Sequence, residues 1–199
     1  MAKNMQPIAK RCRALGISPA TMGYYKKESN RHQNSQVRRK KSEYATQLQE
    51  KQKVKFVYGI MEKQFRAYYE KAARMPGKTG DNLLSLVERR LDNVIFLLGF
   101  ATTRREARQL VNHGHFTVNG RRVNIPSFQV KPGMVIAPKE SSRNLEKIKA
   151  NVEANSFRQA PRWLEYDAAN MIAKVVAVPT REDIDMPIEE HLIVELYSK

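Results

Sequence analysis

The chain has 199 residues, of which 41% are hydrophobic, and it carries a formal net charge of +16. This length and composition are sufficient for one large domain or two small ones with a buried core. No apolar run approaches the roughly 20 residues of a membrane-spanning helix. The single cysteine excludes an internal disulfide, and the excess of positive charge predicts a polyanionic partner.

The charge is distributed unevenly. Residues 1–140 hold 28 Lys and Arg against 10 Asp and Glu, whereas residues 141–199 hold 8 against 10. We therefore expect a nucleic-acid-binding face in the first part and a different surface in the second. The first four residues do not resemble the apolar core of a signal peptide, so a cytoplasmic location is expected.

Residues 7–16 are compatible with a short helix that ends at Gly16. Residues 26–42 contain seven Lys and Arg, one acid and a single apolar residue, Val37. A segment of this composition buries too little to fold alone, so we interpret it as a basic arm that becomes ordered on a polyanion rather than as an inert linker. Its candidate phosphate contacts are Arg38, Arg39, Lys40 and Lys41.

Between residues 43 and 75 the apolar and aromatic side chains recur at helical spacing. Aromatic residues could stack on bases, but at this spacing they favour a core. Gly77-Lys78-Thr79 is similar to the end of a phosphate-binding loop, but the earlier glycine is missing, so no nucleotide site is expected. The core candidates are Phe56, Ile60, Met61, Phe65, Tyr68, Tyr69 and Ala72. The candidate RNA contacts are Lys51, Lys53 and Lys55.

A further helix is expected over the apolar residues between Leu83 and Leu98, with Gly99 as its end. Its polar residues are predicted to lie on the exposed flanks of this single helix. They are Glu88, Arg89, Arg90, Asp92 and Asn93, and Arg89 is a candidate RNA contact.

Residues 103–123 are the most informative stretch. Thr103 and Glu106 have the spacing of a capping box, in which each side chain binds the other residue's backbone N–H. Gly114 suits the left-handed end of that helix, and Asn119-Gly120 between apolar residues predicts a tight hairpin. Arginines at both ends are suited to phosphates, and the polar residues between them to hydrogen bonds. The candidates are Arg104, Arg105, Arg108, Asn112, His113, His115, Asn119, Arg121 and Arg122.

Pro132-Gly133 predicts a turn before a strand that ends at Pro138. Later elements are predicted as a polar helix over residues 143–154, strands over 161–166 and 173–178, and a terminal helix over 188–197. We thus predict an α+β fold in which two helices pack on short antiparallel strands. The core candidates of this module are Leu91, Val94, Ile95, Leu98, Leu110, Val111, Phe116, Val118, Val123 and Val135.

Five segments resemble, in the same order, the bacterial family of small-subunit ribosomal protein four. They are residues 50–55, 88–94, 107–111, 118–126 and 191–199. The resemblance implies a structural protein that binds 16S ribosomal RNA directly and early in small-subunit assembly, without a cofactor or a homo-oligomer. It also implies contact with small-subunit protein five, a place near the path by which messenger RNA enters, and a part in translational accuracy. Candidates for the protein contact are Glu182, Asp183, Glu189 and Glu190.

In that family a helical domain is completed by the C-terminal segment and carries an inserted RNA-binding domain. Transferred to this chain, the parts are a basic arm at 1–42, a helical domain at 43–88 completed by 180–199, and an inserted α+β domain at 89–179. Many members hold a structural zinc ion with four N-terminal cysteines. Only Cys12 occurs here, and one thiolate cannot form a tetrahedral site, so no metal is expected.

Two alternatives belong to other classes of protein. Pseudouridine synthases carry related RNA-binding domains, and Arg90-Leu91-Asp92 resembles part of their catalytic motif, but position 89 is arginine instead of the required glycine. No separate catalytic domain remains, so we do not expect an enzyme. A stand-alone RNA-binding or ribosome-rescue factor would be shorter and would not need residues 42–75 or the terminal helix.

Overall fold

The computed structural model of the protein describes residues 6–24 and 42–198. Over this part, short α-helices accompany one five-stranded antiparallel sheet, which confirms the predicted α+β class. Two compact units are present among these residues, one formed by residues 6–24, 42–65 and 187–198 and the other by residues 66–186. No helix in the described ranges is long and apolar enough to cross a bilayer.

Arg38, Arg39, Lys40 and Lys41 lie outside the described residues. The domain boundaries predicted at residues 88 and 179 separate parts of the chain that are expected to fold independently. These boundaries stay a prediction.

Glycines end two helices of the first unit. Helix α1 (Ile8–Leu15) ends at Gly16 with φ 69°, as predicted, and helix α2 (Glu43–Tyr58) ends at Gly59 with φ 64°. The left-handed conformation costs glycine little and stops the helix. Gly59 therefore separates α2 from helix α3 (Glu62–Ala73), so the helical region predicted before residue 75 consists of two helices.

The end of the chain completes the first unit. Helix α9 (Glu190–Ser198) packs on α2, which confirms the predicted terminal helix. Gln47 Nε2 donates a hydrogen bond of 3.0 Å to a carboxylate oxygen of Glu195 and so joins the two helices. Cys12 is buried beside Met22, and burial raises the pKa of its thiol.

The second unit contains two helices where the sequence predicted one. Helix α4 (Thr79–Glu88) and helix α5 (Leu91–Leu97) meet at an interruption next to Arg89. There the N–H of Val130 donates a hydrogen bond of 2.9 Å to the Arg89 carbonyl. A segment distant in sequence thus hydrogen-bonds to the backbone at this joint. The prediction of one helix was wrong because tertiary pairing overrides helical spacing.

Five short antiparallel strands form the sheet, in the order β2-β1-β3-β5-β4. They are β1 (Phe116–Val118), β2 (Arg121–Arg122), β3 (Val135–Pro138), β4 (Leu164–Asp167) and β5 (Ile172–Val175). The accompanying helices are α6 (Arg104–Asn112) before β1, and α7 (Glu140–Arg143) and α8 (Glu146–Ala154) after β3. The predicted hairpin and the strand that ends at Pro138 are confirmed.

One apolar cluster joins α5, α6 and the sheet. It buries most of the predicted core, including Leu91, Val94, Ile95, Leu98, Val111, Phe116 and Val118. Two core predictions were wrong. Val135 is 37% exposed because the buried face of β3 belongs to its neighbour Ile136, and Met61 is 40% exposed in the turn before α3.

Candidate nucleic-acid interface

Helix α6 begins with a variant of the predicted capping box. The Thr103 hydroxyl accepts a hydrogen bond from the Glu106 N–H at 3.2 Å, as expected. The Glu106 carboxylate instead accepts from the N–H and hydroxyl of Thr102, at 2.8 and 2.6 Å. Burial would raise the pKa of Glu106, but these bonds, with Asn151 and Lys147, lower it. The one acid of this stretch is therefore ionised and held by neighbouring groups.

The hairpin after α6 is held tightly. Asn119 and Gly120 have φ angles of 49° and 76°, as their turn requires. The Asn119 side-chain oxygen accepts a 2.8 Å hydrogen bond from the N–H of Val135 on β3. Asn119 was predicted to contact RNA, and in this structure its oxygen fixes the hairpin to the sheet.

The end of α6 and strand β2 approach each other at Gly114. This glycine has φ 72°, and a Cβ atom there would lie 2.1 Å from Nε of Arg122. The Arg122 guanidinium donates to the carbonyl of His113 at 3.2 Å. This contact holds strand β2 of the hairpin against the C-terminal end of α6.

We call the predicted arginines on α6 and β2 the arginine surface. It comprises Arg104, Arg105, Arg108, Arg121 and Arg122. Arg105, Arg121 and Arg122 are exposed, whereas Arg104 and Arg108 are partly buried, as is the candidate Asn112. Arg104 donates through Nε to the side-chain oxygen of Asn93 at 2.8 Å, and its guanidinium lies 4.3 Å from the centre of the Phe96 ring.

The two candidate histidines differ in environment. His113 is exposed, whereas Nδ1 of His115 lies 3.0 Å from the Ser142 hydroxyl. Burial lowers the pKa of His115, and electrostatic interactions with His113 and Arg122 lower it further. His115 is therefore neutral at pH 7 and suited to a hydrogen bond rather than a charge contact.

The joint between α4 and α5 carries a buried network of polar side chains. The sequence pattern had predicted these residues on the exposed flanks of one helix, and this was wrong. Both Asp92 oxygens accept from the Arg90 guanidinium, at 3.0 and 2.6 Å, and the Tyr68 hydroxyl accepts a third bond at 2.9 Å. Burial would lower the pKa of Arg90, but Asp92 and Tyr68 raise it. Asn93 binds Glu88 and, through its oxygen, Arg104, so the network supports the arginine surface.

Arg89 borders this network but does not share its contacts. Its Nε is buried and has no hydrogen-bond partner among the described residues, and burial lowers its pKa. A desolvated guanidinium whose Nε lacks such a partner is suited to an anion from outside the chain.

The three candidate lysines of α2 are already paired within the first unit. Lys51 contacts one oxygen of Glu62 at 3.0 Å, and Lys55 contacts the other. Lys53 pairs with Glu50 on the same helix. Partial burial would raise the pKa of Glu62, but hydrogen bonds from Lys55, Tyr197 and Lys51 lower it to about 2.

The acidic candidates occur in both units. In the second unit Glu182 is exposed, and Asp183 accepts two 2.8 Å hydrogen bonds from Thr180, which cap a short 3₁₀ turn. In the first unit Glu189 is exposed and Glu190 is partly buried at the start of α9.

Comparison with known families agrees with this geometry. Residues 89–136, which contain the α4–α5 joint, α6 and the hairpin, match the family model described as the S4 domain. Residues 3–88 match a model described as the ribosomal protein S4/S9 N-terminal domain. The fold and the site thus define a ribosomal protein of the S4-domain class.

The relatives are more specific. The chain is 54% identical over 199 residues to small ribosomal subunit protein uS4 of Agathobacter rectalis and to that of Fusobacterium nucleatum, and in each case 100% of both chains is covered. It is 62% identical over 167 residues to uS4 of Clostridioides difficile, covering 84% of this chain and 80% of the relative. The chain belongs to the uS4 family, which confirms the resemblance found in the sequence.

Proposed function

We infer that the protein is a structural constituent of the small ribosomal subunit that binds ribosomal RNA, and that it is not an enzyme. The observation that carries this inference is the asymmetry of charge in residues 89–136. Their two acids, Asp92 and Glu106, are held by internal hydrogen bonds, whereas Arg105, Arg121 and Arg122 are exposed. Such a surface presents positive charge to solvent and attracts phosphate.

The rigidity of the arginine surface favours recognition of RNA shape. A-form RNA hides the base edges of its major groove, so a protein contacts phosphates, 2′-hydroxyls and splayed bases. The hairpin is fixed by Asn119 and the helix start by Thr103, so their arginines are held ready for a folded RNA. Neutral His115 and exposed His113 would add hydrogen bonds.

We propose more specific roles on the strength of the family resemblance. The RNA would be 16S ribosomal RNA, bound early in assembly in the cytoplasm, with the basic arm and Arg89 as additional contacts. The lysines of α2 would contribute less, since Glu62 and Glu50 compete for them. Exposed Glu182 and Glu189, with Asp183 and Glu190, would face small-subunit protein five near the incoming messenger RNA and so affect accuracy.

The two alternative functions are disfavoured. Asp92, the only counterpart of a synthase aspartate, is buried, and both of its oxygens are occupied by Arg90. A small rescue factor is disfavoured because the alignment with two uS4 relatives covers the whole of each chain.

The proposed function is tested by reversing two exposed charges, Arg105→Glu with Arg121→Glu. We expect affinity for a 16S RNA transcript to fall roughly tenfold or more, and the slope of log K against log salt to fall by about 1.4 to 1.8, since each of the two lost phosphate contacts removes about 0.7 to 0.9. Arg162→Glu, which changes one exposed arginine beside Glu182 and Asp183, is the control for a charge reversal elsewhere in the same unit. Wild-type protein without measurable affinity for the transcript, or a salt-independent affinity, would contradict the proposal.

A further inference from the structure

An exposed aromatic residue next to α8 has no place in the function described so far. Phe157 is 67% exposed, the largest value among the exposed large apolar side chains of the described residues. It follows α8 in a loop of the second unit, outside the apolar cluster. A ring this exposed contributes little burial to the fold. A single exposed apolar side chain is ordinary, so what Phe157 can do depends on the groups beside it.

A cation lies beside the Phe157 ring. The guanidinium carbon of Arg158 is 5.9 Å from the centre of that ring and 4.6 Å from the centre of the Phe96 ring. Arg158 also donates to three carbonyl oxygens, those of Phe96, Ala101 and Thr102, at 3.3 to 3.4 Å. Among the described residues it has no carboxylate partner, so the positive charge beside Phe157 is not cancelled by an ion pair.

The same place is connected to the arginine surface. The Arg104 guanidinium lies 4.3 Å from the centre of the Phe96 ring, so Arg104 and Arg158 share one aromatic residue. The carbonyl of Thr102, to which Arg158 donates, immediately precedes the cap of α6. Phe157 therefore extends the arginine surface with an aromatic ring that is open to solvent.

We propose that Phe157 is a stacking platform for one unpaired nucleobase of the RNA, with Arg158 and Arg104 drawing the adjoining phosphates toward it. This proposal rests on the proposed function. Aromatic rings beside positive charge are the usual means of holding a single-stranded base, because every base has a π face and every nucleotide a phosphate. An apolar protein partner would gain from the ring but would have to desolvate the arginine charge beside it.

Affinity for a full-length 16S RNA transcript at fixed salt tests the proposal. We expect Phe157→Ala to weaken binding roughly 5- to 150-fold, the range that loss of one stacked base produces. Phe157→Trp should bind as tightly as the wild type. Phe157→Leu, which is apolar but has no π face, should be weakened like Phe157→Ala. The salt dependence should stay unchanged in all three variants, because none removes a charge.

A fluorescence measurement gives a direct readout of stacking. The only tryptophan, Trp163, is 2% exposed, so the additional emission of Phe157→Trp reports the surface site. We expect this emission, and not that of the wild type, to be quenched when the RNA is added. Val176→Ala, which shortens another exposed apolar residue of the same unit, is the control for nonspecific loss of apolar surface.

The outcomes separate this proposal from the proposed function. If the wild type binds the transcript and Phe157→Ala binds equally well, stacking is excluded and the ribosomal RNA function stands. If Phe157→Leu bound the transcript as tightly as Phe157→Trp, the contact would be simply apolar and the proposal would be overturned. If Phe157→Ala kept its affinity for RNA but was incorporated less into reconstituted subunits, a protein partner would be indicated instead. Absence of binding by the wild type would defeat the proposed function itself.

Discussion

The lysines of α2 and the arginines of the arginine surface were both predicted from the sequence to contact RNA, yet their surroundings in the structure differ. Lys51 and Lys55 share Glu62, and Lys53 pairs with Glu50, so these charges are matched within the first unit. In the second unit the only acid close in sequence to the arginine surface, Glu106, binds Thr102. A lysine that already has a carboxylate partner gains less from a phosphate, because the phosphate must compete with that carboxylate. Charge in the sequence therefore identifies candidates, and the position of the acids selects among them.

Arg90 is an arginine of the second unit whose charge is nevertheless paired internally. It is only 1% exposed, and its guanidinium depends on Asp92 and Tyr68. We expect Asp92→Ala to lower the free energy of unfolding by about 3 to 5 kcal/mol, the usual cost of a buried charge without its partner. Urea denaturation followed by circular dichroism measures this change.

The matched control is Asp185→Ala, which removes an exposed carboxylate from the same unit and should change stability by less than about 0.5 kcal/mol. Replacing Arg90 and Asp92 together with apolar residues should recover part of the loss, since the uncompensated charge is then gone. If Asp92→Ala were as stable as the wild type, Arg90 would have to be satisfied by solvent.

Local signals in the sequence were sufficient to predict much of the second unit. Thr103, Gly114 and Asn119-Gly120 act through their own backbone conformation or through residues three positions away, and the helix and hairpin that they predict are confirmed. The same holds for Gly16 and for the turn at Pro132-Gly133. Turn and cap chemistry can be predicted from the sequence because it depends on neighbours in the chain.

The rest depends on contacts between residues distant in the sequence. Helical spacing continues through Arg89 and Arg90, and only pairing with residues near 129 breaks it. Asp92 was predicted to be exposed, and this was wrong, because the joint is buried and the Asp92 carboxylate pairs there with Arg90. Nothing near Arg158 in the sequence indicates that its guanidinium lies against Phe96.

The lysines provide the direct test of the comparison between the two basic regions. We expect Lys51→Gln with Lys55→Gln to leave affinity for 16S RNA within about threefold of the wild type, with an almost unchanged salt slope, because Glu62 competes with phosphate for both charges. The unfolding free energy should fall by about 1 kcal/mol, as for a network of surface pairs. Binding titrations at several salt concentrations and thermal melts measure both quantities.

Lys63→Gln with Lys71→Gln, on exposed positions of α3, is the control for loss of two positive charges. A tenfold loss of affinity in the Lys51 and Lys55 variant alone would show that phosphate displaces Glu62 from them. The lysines would then join the arginine surface as principal contacts, and the distinction drawn between the two regions would fail.

The smallest expected effect concerns Glu62 itself and appears only in acid. The folded-state pKa of Glu62 is lowered from 4.5 to about 2, so the folded state binds the proton less readily than the unfolded chain. The stabilisation is therefore fully present above pH 4.5 and is lost progressively as pH falls toward 2. Glu62→Gln should remove this contribution, costing less than about 1 kcal/mol at pH 7 because the carboxylate is partly exposed. The stability of this variant should then depend less steeply on pH between 4.5 and 2 than that of the wild type.

The control is Glu70→Gln, which breaks the exposed pair with Arg66 in α3 and should leave the wild-type slope unchanged. Parallel slopes for Glu62→Gln and the wild type would mean that Lys51 and Lys55 are not neutralised by Glu62 in solution, which would leave those lysines available to phosphate.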